Sequence, residues 1–234
     1  MADNGSVVVI GGTSEIGKRI AQRYADKGES VVVTSRDSAK AQAAAKEIGG
    51  NTSGAAVDLH QPEEIADALA DLGPVKYLVI VAIQRDSNAV DEFNIEGARD
   101  LVTLKLVGYL EVIHALRDRL SDDSAIVLFG GTAKDRPYPN SLTVTAVNGA
   151  VSTMILSLAT QLAPIRVNAI HPSIVGDSPF WAATPPEVLE SFRARTPLGR
   201  LVEIDDVAHA TEFLLENQAV NAINLRVDGG FLAT

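Results

Sequence analysis

The apolar residues of this chain fall into two patterns that take turns along its length. Val7-Val8-Val9-Ile10 is an unbroken β-branched run, the mark of a strand covered on both faces. After it, Ile16, Ile20, Ala21, Tyr24 and Ala25 recur at helical spacing. The alternation then repeats. Residues 30–34 read as a second buried strand, 39–48 as an Ala-rich helix, and a short strand ends at Val57-Asp58-Leu59. Pro62 followed by Glu63 and Glu64 starts a helix that runs to residue 72, where Gly73-Pro74 stops it. A strand over 75–83, a long helix over 93–120 and a strand over 125–129 come next. A helix holding residues 144–151, a strand ending at Pro172, a helix over 204–217 and a strand over 223–227 complete the series. Strands separated by helices predict an α/β domain.

The first strand and the first helix are joined by Gly11-Gly12-Thr13-Ser14-Glu15-Ile16-Gly17. Helix amide donors and the helix dipole point back into such a turn, so it can hold an anion, usually the pyrophosphate of a dinucleotide.

Composition narrows the partner. The 234 residues, 46% of them hydrophobic, suit one domain over 1–234 with an ample core, and no linker or repeat divides it. A net charge of −10 argues against nucleic acid or an anionic membrane, since either demands a basic face. A small-molecule substrate fits better. The lack of Cys excludes disulfides, thiol nucleophiles and thiolate metal sites. His60, His114, His171 and His209 show no paired ligand spacing, so no metal is expected. The polar start Met1-Ala2-Asp3-Asn4-Gly5 has no signal-peptide character, and the apolar run near 77–83 is too short to cross a bilayer. The cytoplasm is the expected compartment.

The glycine turn, the stretch Leu162-Ala163-Pro164-Ile165-Arg166-Val167-Asn168-Ala169-Ile170-His171-Pro172 and the C-terminal Asp228-Gly229-Gly230 stand in the order found in the short-chain dehydrogenase/reductase family. The chain resembles that family over essentially its whole length. The resemblance implies a Rossmann-type, doubly wound parallel sheet of about seven strands, flanked by helices in three α/β/α layers. It also implies a homo-dimer or homo-tetramer built on the closing helix and strand. It places Gly11, Thr13, Ser14, Glu15 and Ile16 at the pyrophosphate and Asp58 with Leu59 at the adenine. Ala82, Asn148, Pro172, Ile174 and Val175 are placed along the rest of the dinucleotide. Ser35-Arg36-Asp37 stands where this architecture faces the adenosine ribose. A small residue followed by Arg accepts a 2′-phosphate, so Ser35 and Arg36 favour NADP(H), with NAD(H) as the alternative. The plainer reading is a solvated Arg36 beside a helix cap at Asp37.

Several family identities are replaced. Ile10 stands for Thr and Glu15 for the middle Gly of the turn, and a carboxylate beside a pyrophosphate repels it unless it turns away. Ile80-Val81-Ala82-Ile83 replaces Asn-Asn-Ala-Gly. Gly131, followed by Thr132, takes the place of the catalytic Ser, Val144 that of Tyr and Asn148 that of Lys. Asp177 replaces a Thr that holds the nicotinamide carboxamide, a contact Ser178 can take over. Lys105 stands where relatives have Asn, so Asn and Lys have exchanged places. On one reading Lys105 supplies a positive charge or a proton, Asn148 holds the nicotinamide ribose, and Thr132 or Tyr138 contacts substrate. On the other, the exchange is drift: Lys105 sits in the apolar stripe of Leu101, Leu104, Gly108, Val112 and Leu116 and must reach solvent. His171 reads as structural.

Residues 178–199, with Pro179, Pro185, Pro186 and Pro197 among Phe180, Trp181 and Phe192, form a candidate substrate lid or a surface helix pair. Three functions compete. The first is an NADP(H)-dependent oxidoreductase acting on a small carbonyl or hydroxyl compound through a rewired site. The second is a non-redox isomerase, dehydratase or lyase on the same fold. The third is a nucleotide-binding protein without catalysis.

Overall fold

The central strands are apolar on both sides, which requires a layer of helices on each. The structure, a computed structural model, describes residues 5–13 and 15–234. Its strands are β1 (Ser6–Ile10), β2 (Ser30–Ser35), β3 (Asn51–Ala56), β4 (Val75–Ile80), β5 (Leu120–Phe129), β6 (Arg166–Pro172) and β7 (Asn224–Val227). They form one seven-stranded sheet in the order β3-β2-β1-β4-β5-β6-β7, and every pairing is parallel. The helices are α1 (Glu15–Asp26), α2 (Ser38–Ile48), α3 (Pro62–Ala68), α4 (Ile95–Val102), α5 (Tyr109–Leu116), α6 (Leu142–Gln161), α7 (Pro179–Ala182), α8 (Pro186–Ala194) and α9 (Ile204–Glu216).

Successive side chains of a strand point to opposite faces, so Val7 and Val9 face one layer while Val8 and Ile10 face the other. Val7, Val9, Val31, Val33 and Val127 pack against Ile20 and Tyr24 of α1, Ala44 and Ile48 of α2, and Val207 and Leu214 of α9. Val8, Ile10, Leu78, Ile80 and Ile126 pack against Ile65 of α3, Val112 and Leu116 of α5, and Val151 and Ile155 of α6. Burying a core side chain of this size contributes about 1.5–3 kcal/mol, so the two faces together hold the sheet between its helices. At the far edge, buried Arg166 ties β6 to the end of α9 by donating to the Leu214 and Leu215 carbonyls at 2.8 and 2.5 Å. These bonds satisfy carbonyls that a helix end leaves free.

Several segments differ from the sequence expectation, among them β3, which ends at Ala56 before Val57-Asp58-Leu59, and α3, which ends at Ala68 rather than residue 72. The helix expected over 93–120 is broken: Thr103–Gly108, between α4 and α5, is a π-helical turn, and the chain is already in β5 by Leu120. Leu120 pairs with Val75, while Asp122 and Asp123 are exposed, so the polar start of β5 conceals a strand. The β4 strand ends at Ile80 rather than residue 83, because the Val81 and Ala82 amides turn to donate to the Ile10 carbonyl at 3.0 and 3.1 Å. One helix among the described residues, α6, is long and apolar enough by length and composition to cross a bilayer, which the run near 77–83 did not signal. It lies on the sheet with Val147, Val151, Ile155 and Ala159 buried.

Gly54 marks where α2 meets edge strand β3 most closely. A Cβ there would stand 2.4 Å from the Ala41 carbonyl carbon and oxygen. Gly54→Ala is therefore expected to lower the unfolding free energy by about 2 kcal/mol. Gly73→Ala, where a Cβ meets open space, should stay within about 0.5 kcal/mol of the parent in the same denaturant titration.

Candidate active site

The strand order reverses between β1 and β4, since the chain winds outward from β1 through β2 to β3 and then returns to the other side of β1. Strand ends splay at such a point and leave a crevice. A cleft of about 1110 Å³ occupies it. The turn after β1 forms the floor. Gly11 has φ 86°, and its amide donates to the Thr34 hydroxyl at 3.2 Å. A Cβ on Gly11 would lie 2.8 Å from the Ala82 Cα, and one on Gly17 would lie 2.4 Å from the Gly11 carbonyl oxygen. Tyr109 fixes the other side by donating its hydroxyl to the Ala82 carbonyl at 2.8 Å. Glu15 has φ 49°, so it keeps the left-handed backbone for which a glycine is usual.

Thr13, Glu15 and Ile16 line this end of the cleft with Gly11 and Ala82; Ser14 lies outside the described residues. Ser35 and Arg36 line it at the end of β2. Asp37 caps α2, accepting from the Lys40 amide at 2.9 Å, which leaves the Arg36 guanidinium with no acceptor among the described residues. Asp58 and Leu59 are also on the wall. Burial acts to raise the Asp58 carboxyl, but bonds from the His60 amide at 3.0 Å and the His60 ring at 2.9 Å hold it below the ordinary carboxylate range. The His60 ring reaches on to Gln84 at 2.5 Å, so β3 and β4 are clamped across the cleft.

Lys105 occupies the π turn with 1% of its surface exposed. It lines the cleft, and its Nζ stands 5.5 Å from the centre of the Tyr109 ring. No acceptor among the described residues takes up its charge, and the amine opens onto the cleft. Burial first, and the nearby Arg85 charge second, bring its pKa down from the usual lysine value to about 7.

Across the cleft are Thr132, Asn148, Pro172, Ile174 and Val175, with Gly131 and Val144. The Asn148 amide opens onto the cleft and makes no hydrogen bond to the described residues, and its Nδ2 would stand 2.9 Å from a Cβ on Gly131. Thr132 donates to the Pro172 carbonyl at 3.4 Å. Asp177 turns away to accept from the Ile204 amide at 2.9 Å, at the start of α9. Ser178 stays on the wall, and its buried hydroxyl lacks a partner among the described residues. The carbonyl-and-amide end of a dinucleotide would satisfy that orphaned group, and the positive φ and close approaches of the turn suit a pyrophosphate, so the residues present fit such a cofactor.

His171 is wholly buried behind Gly131. Its Nδ1 accepts from the Gly131 amide at 3.1 Å and its Nε2 donates to the Asn224 side-chain oxygen at 2.8 Å. Desolvation lowers its pKa to about 4. The ring is a neutral strut. Residues 178–199 supply Trp181, Phe192, Arg195 and Thr196 to the cleft, with Phe180 edge-on to Trp181 at 5.1 Å. Sequence reasoning missed His60, Gln84, Arg85, Arg136 and Arg195 as wall residues. They sit outside the strands, and no local pattern marks them.

A family model described as enoyl-(acyl carrier protein) reductase matches residues 11–232. The 3-oxoacyl-[acyl-carrier-protein] reductase of Mus musculus is 31% identical over 97% of each chain. The L-xylulose reductase of Bos taurus is 30% identical over 97% of this chain and 96% of its own. Among solved structures, a 3-ketoacyl-(acyl-carrier-protein) reductase from Brucella melitensis complexed with NADH superposes with a TM-score of 0.86 at 29% identity, covering 97% of this chain and 98% of that one.

The His171 strut sets a pH dependence. Its pKa is about 4 folded against 6.5 unfolded, so the unfolded chain binds the extra proton, and stability present above pH 6.5 drains away as the pH falls toward 4. The share due to this ring is on the order of 3 kcal/mol. Urea titrations between pH 7 and 4 should show His171→Gln with a shallower decline than the parent, although it starts from a lower stability.

Proposed function

The chain belongs to the short-chain dehydrogenase/reductase family, and from that premise we propose that it is an NADP(H)-dependent oxidoreductase for a small carbonyl or hydroxyl compound, working through a rewired site. The observation that carries this reading is Lys105: a buried amine on the wall of the dinucleotide cleft, with its charged and neutral forms balanced near pH 7. A group so poised can give a proton to a carbonyl oxygen or take one from a hydroxyl. The dinucleotide, when bound, supplies or accepts the hydride. Val144 and Gly131, in place of Tyr and Ser, offer no proton, and Asn148 offers an uncharged amide where a Lys is customary. Asn148 is thus free to hold the nicotinamide ribose, and the Ser178 hydroxyl the carboxamide. Thr132 has its hydroxyl hydrogen engaged with Pro172, so it meets substrate through a lone pair, beside Tyr138. Arg36 takes the 2′-phosphate, residues 178–199 close over the substrate, and the chain works as a homo-dimer or homo-tetramer.

Glu15 favours a second reading. A carboxylate on the wall of the pyrophosphate turn suits a non-redox isomerase, dehydratase or lyase that leaves the dinucleotide out. Calorimetric titration with NADPH separates the two, since absence of heat removes the redox reading.

With NADPH and a panel of carbonyl compounds, Lys105→Met is expected to lose at least about a hundredfold in turnover. Reduction by the parent should decline as the pH rises through about 7, where the Lys105 ammonium gives up its proton. The same replacement removes a buried charge, so its melting temperature should rise by about 5 °C or more; an unchanged turnover in a well-folded variant would remove Lys105 from the chemistry. Arg36→Ala should weaken NADPH by about tenfold or more while leaving NADH nearly unaffected.

A further inference from the structure

The charges on the cleft wall are out of keeping with the rest of the chain. Overall the protein carries −10. Yet the part of the cleft beyond Lys105 gathers Arg85, Arg136 and Arg195, and none of these four cations lies within 4 Å of a carboxylate among the described residues. Some basic side chains elsewhere are matched, as in Arg19 with Asp205 and Arg23 with Glu212, which tie α1 to α9, whereas others such as Arg36 and Arg119 have no carboxylate within reach among the described residues. The only carboxylates on the cleft wall among the described residues are Glu15 and Asp58. Asp58 is already engaged by His60, and Glu15, in the turn after β1, is near enough for its charge to act on Arg85 but makes no ion pair with it.

The guanidinium groups are held by aromatic rings in place of carboxylates. Arg85 lies 3.4 Å from the centre of the Phe180 ring, in the first turn after Ser178. Arg136 and Arg195 both address Phe231, at 4.6 and 5.3 Å from its centre. Each also donates one N–H to a backbone carbonyl, that of Phe231 at 2.9 Å and that of Ser191 at 3.1 Å. Stacking on a ring fixes a guanidinium without neutralising it and leaves the donors at its edge for a ligand. Arg85 spends none of its donors on the described residues. The Arg85 charge acts against that of Lys105, and an anion seated on Arg85 relieves that repulsion.

We infer that the substrate end of the cleft is a carboxylate subsite: the substrate is a small oxo acid, or the matching hydroxy acid, whose carboxylate Arg85 binds against Phe180 while Arg136 and Arg195 add to the attracting field. This rests on the oxidoreductase reading and names its substrate class. Arg85 and Lys105 are near enough to repel, so the anionic group and the reacting carbonyl belong to one short molecule. The aromatic wall supplied by Trp181, Phe192 and Phe231 suits an apolar or flat body on that acid.

The test compares phenylglyoxylate with its methyl ester, which keeps the shape and the carbonyl but lacks the charge. Full-length protein, with and without NADP+, is titrated with each by calorimetry. The acid is expected to bind about tenfold or more tighter than the ester, and Arg85→Gln should bring the ratio to within about threefold, since a charge-assisted pair is lost. Arg85→Lys should keep part of the preference. Equal affinities, no binding of either compound at millimolar concentration, or a ratio unchanged in Arg85→Gln would each overturn the inference. Melting curves establish that the variants are folded. A separate titration with NADPH tests the redox reading: no heat with the nucleotide, alongside an acid preference that still depends on Arg85, would sink that reading and leave the subsite standing.

Discussion

The seam between the chain segments leaving β1 and β4 governs the site. Gly11 and Gly17 are there because backbone passes too near for any Cβ, and the Ile10 carbonyl takes two amides from the opposite segment. That crossing closes the sheet at its core end and opens it at the ligand end in the same few ångströms. Tyr109 braces this place from the helix side through the Ala82 carbonyl. A wholly buried Tyr spends its one donor on that bond, and burial drives its pKa far above the phenol range, so it is a brace without a part in proton transfer.

Lys105 and Asn148 both line the crevice that this seam opens. The π turn that carries Lys105 presents the side chain to the cleft, and Gly108 at its end packs against Leu59, where a Cβ would come within 2.7 Å of the Leu59 carbonyl oxygen. The amine is thus held by backbone packing and has no acceptor to relax toward. Opposite it, the Asn148 amide is pressed against Gly131 so closely that a Ser at that position would displace it. Gly131 and Asn148 are thus matched to each other, a glycine making room for an amide, and the Lys105 amine lines the same cleft.

Much of the architecture was legible because β-branched runs and helical spacing report burial directly, and burial is what the two faces of the sheet demand. Val7–Ile10 and residues 30–34 could hardly be anything else. The start of β5 was hidden because Ser121 to Ser124 are polar; Leu120 and Ala125 on either side of them pair with β4 across a register shift, and the Ser124 hydroxyl donates to the Val75 carbonyl at 2.7 Å. The π turn had no sequence mark either, since neither proline nor glycine pair interrupts the apolar stripe there. For the site, alignment with family motifs found the residues next to strand ends, all of which line the cleft where the structure describes them. It could not find Arg85, Arg136 or Arg195, whose positions depend on loops folding over Phe180 and Phe231.

The electrostatics of those loops bear on Lys105 in turn. In the cleft as it stands, burial and the Arg85 charge act in the same direction and strip the proton from the amine near neutral pH. An anion seated on Arg85 changes the sign of the second effect: the positive neighbour becomes a neutral pair, and the negative charge favours the ammonium. Burial alone would still hold the pKa below that of a free lysine, but the amine would enter reduction protonated and leave it neutral. On the proposed carboxylate subsite, coupling of this kind would load the proton as the charged substrate arrives, and the mobile charge would be the substrate's own. That is why the unpaired arginines and the unpartnered lysine are better understood as one arrangement than as separate anomalies.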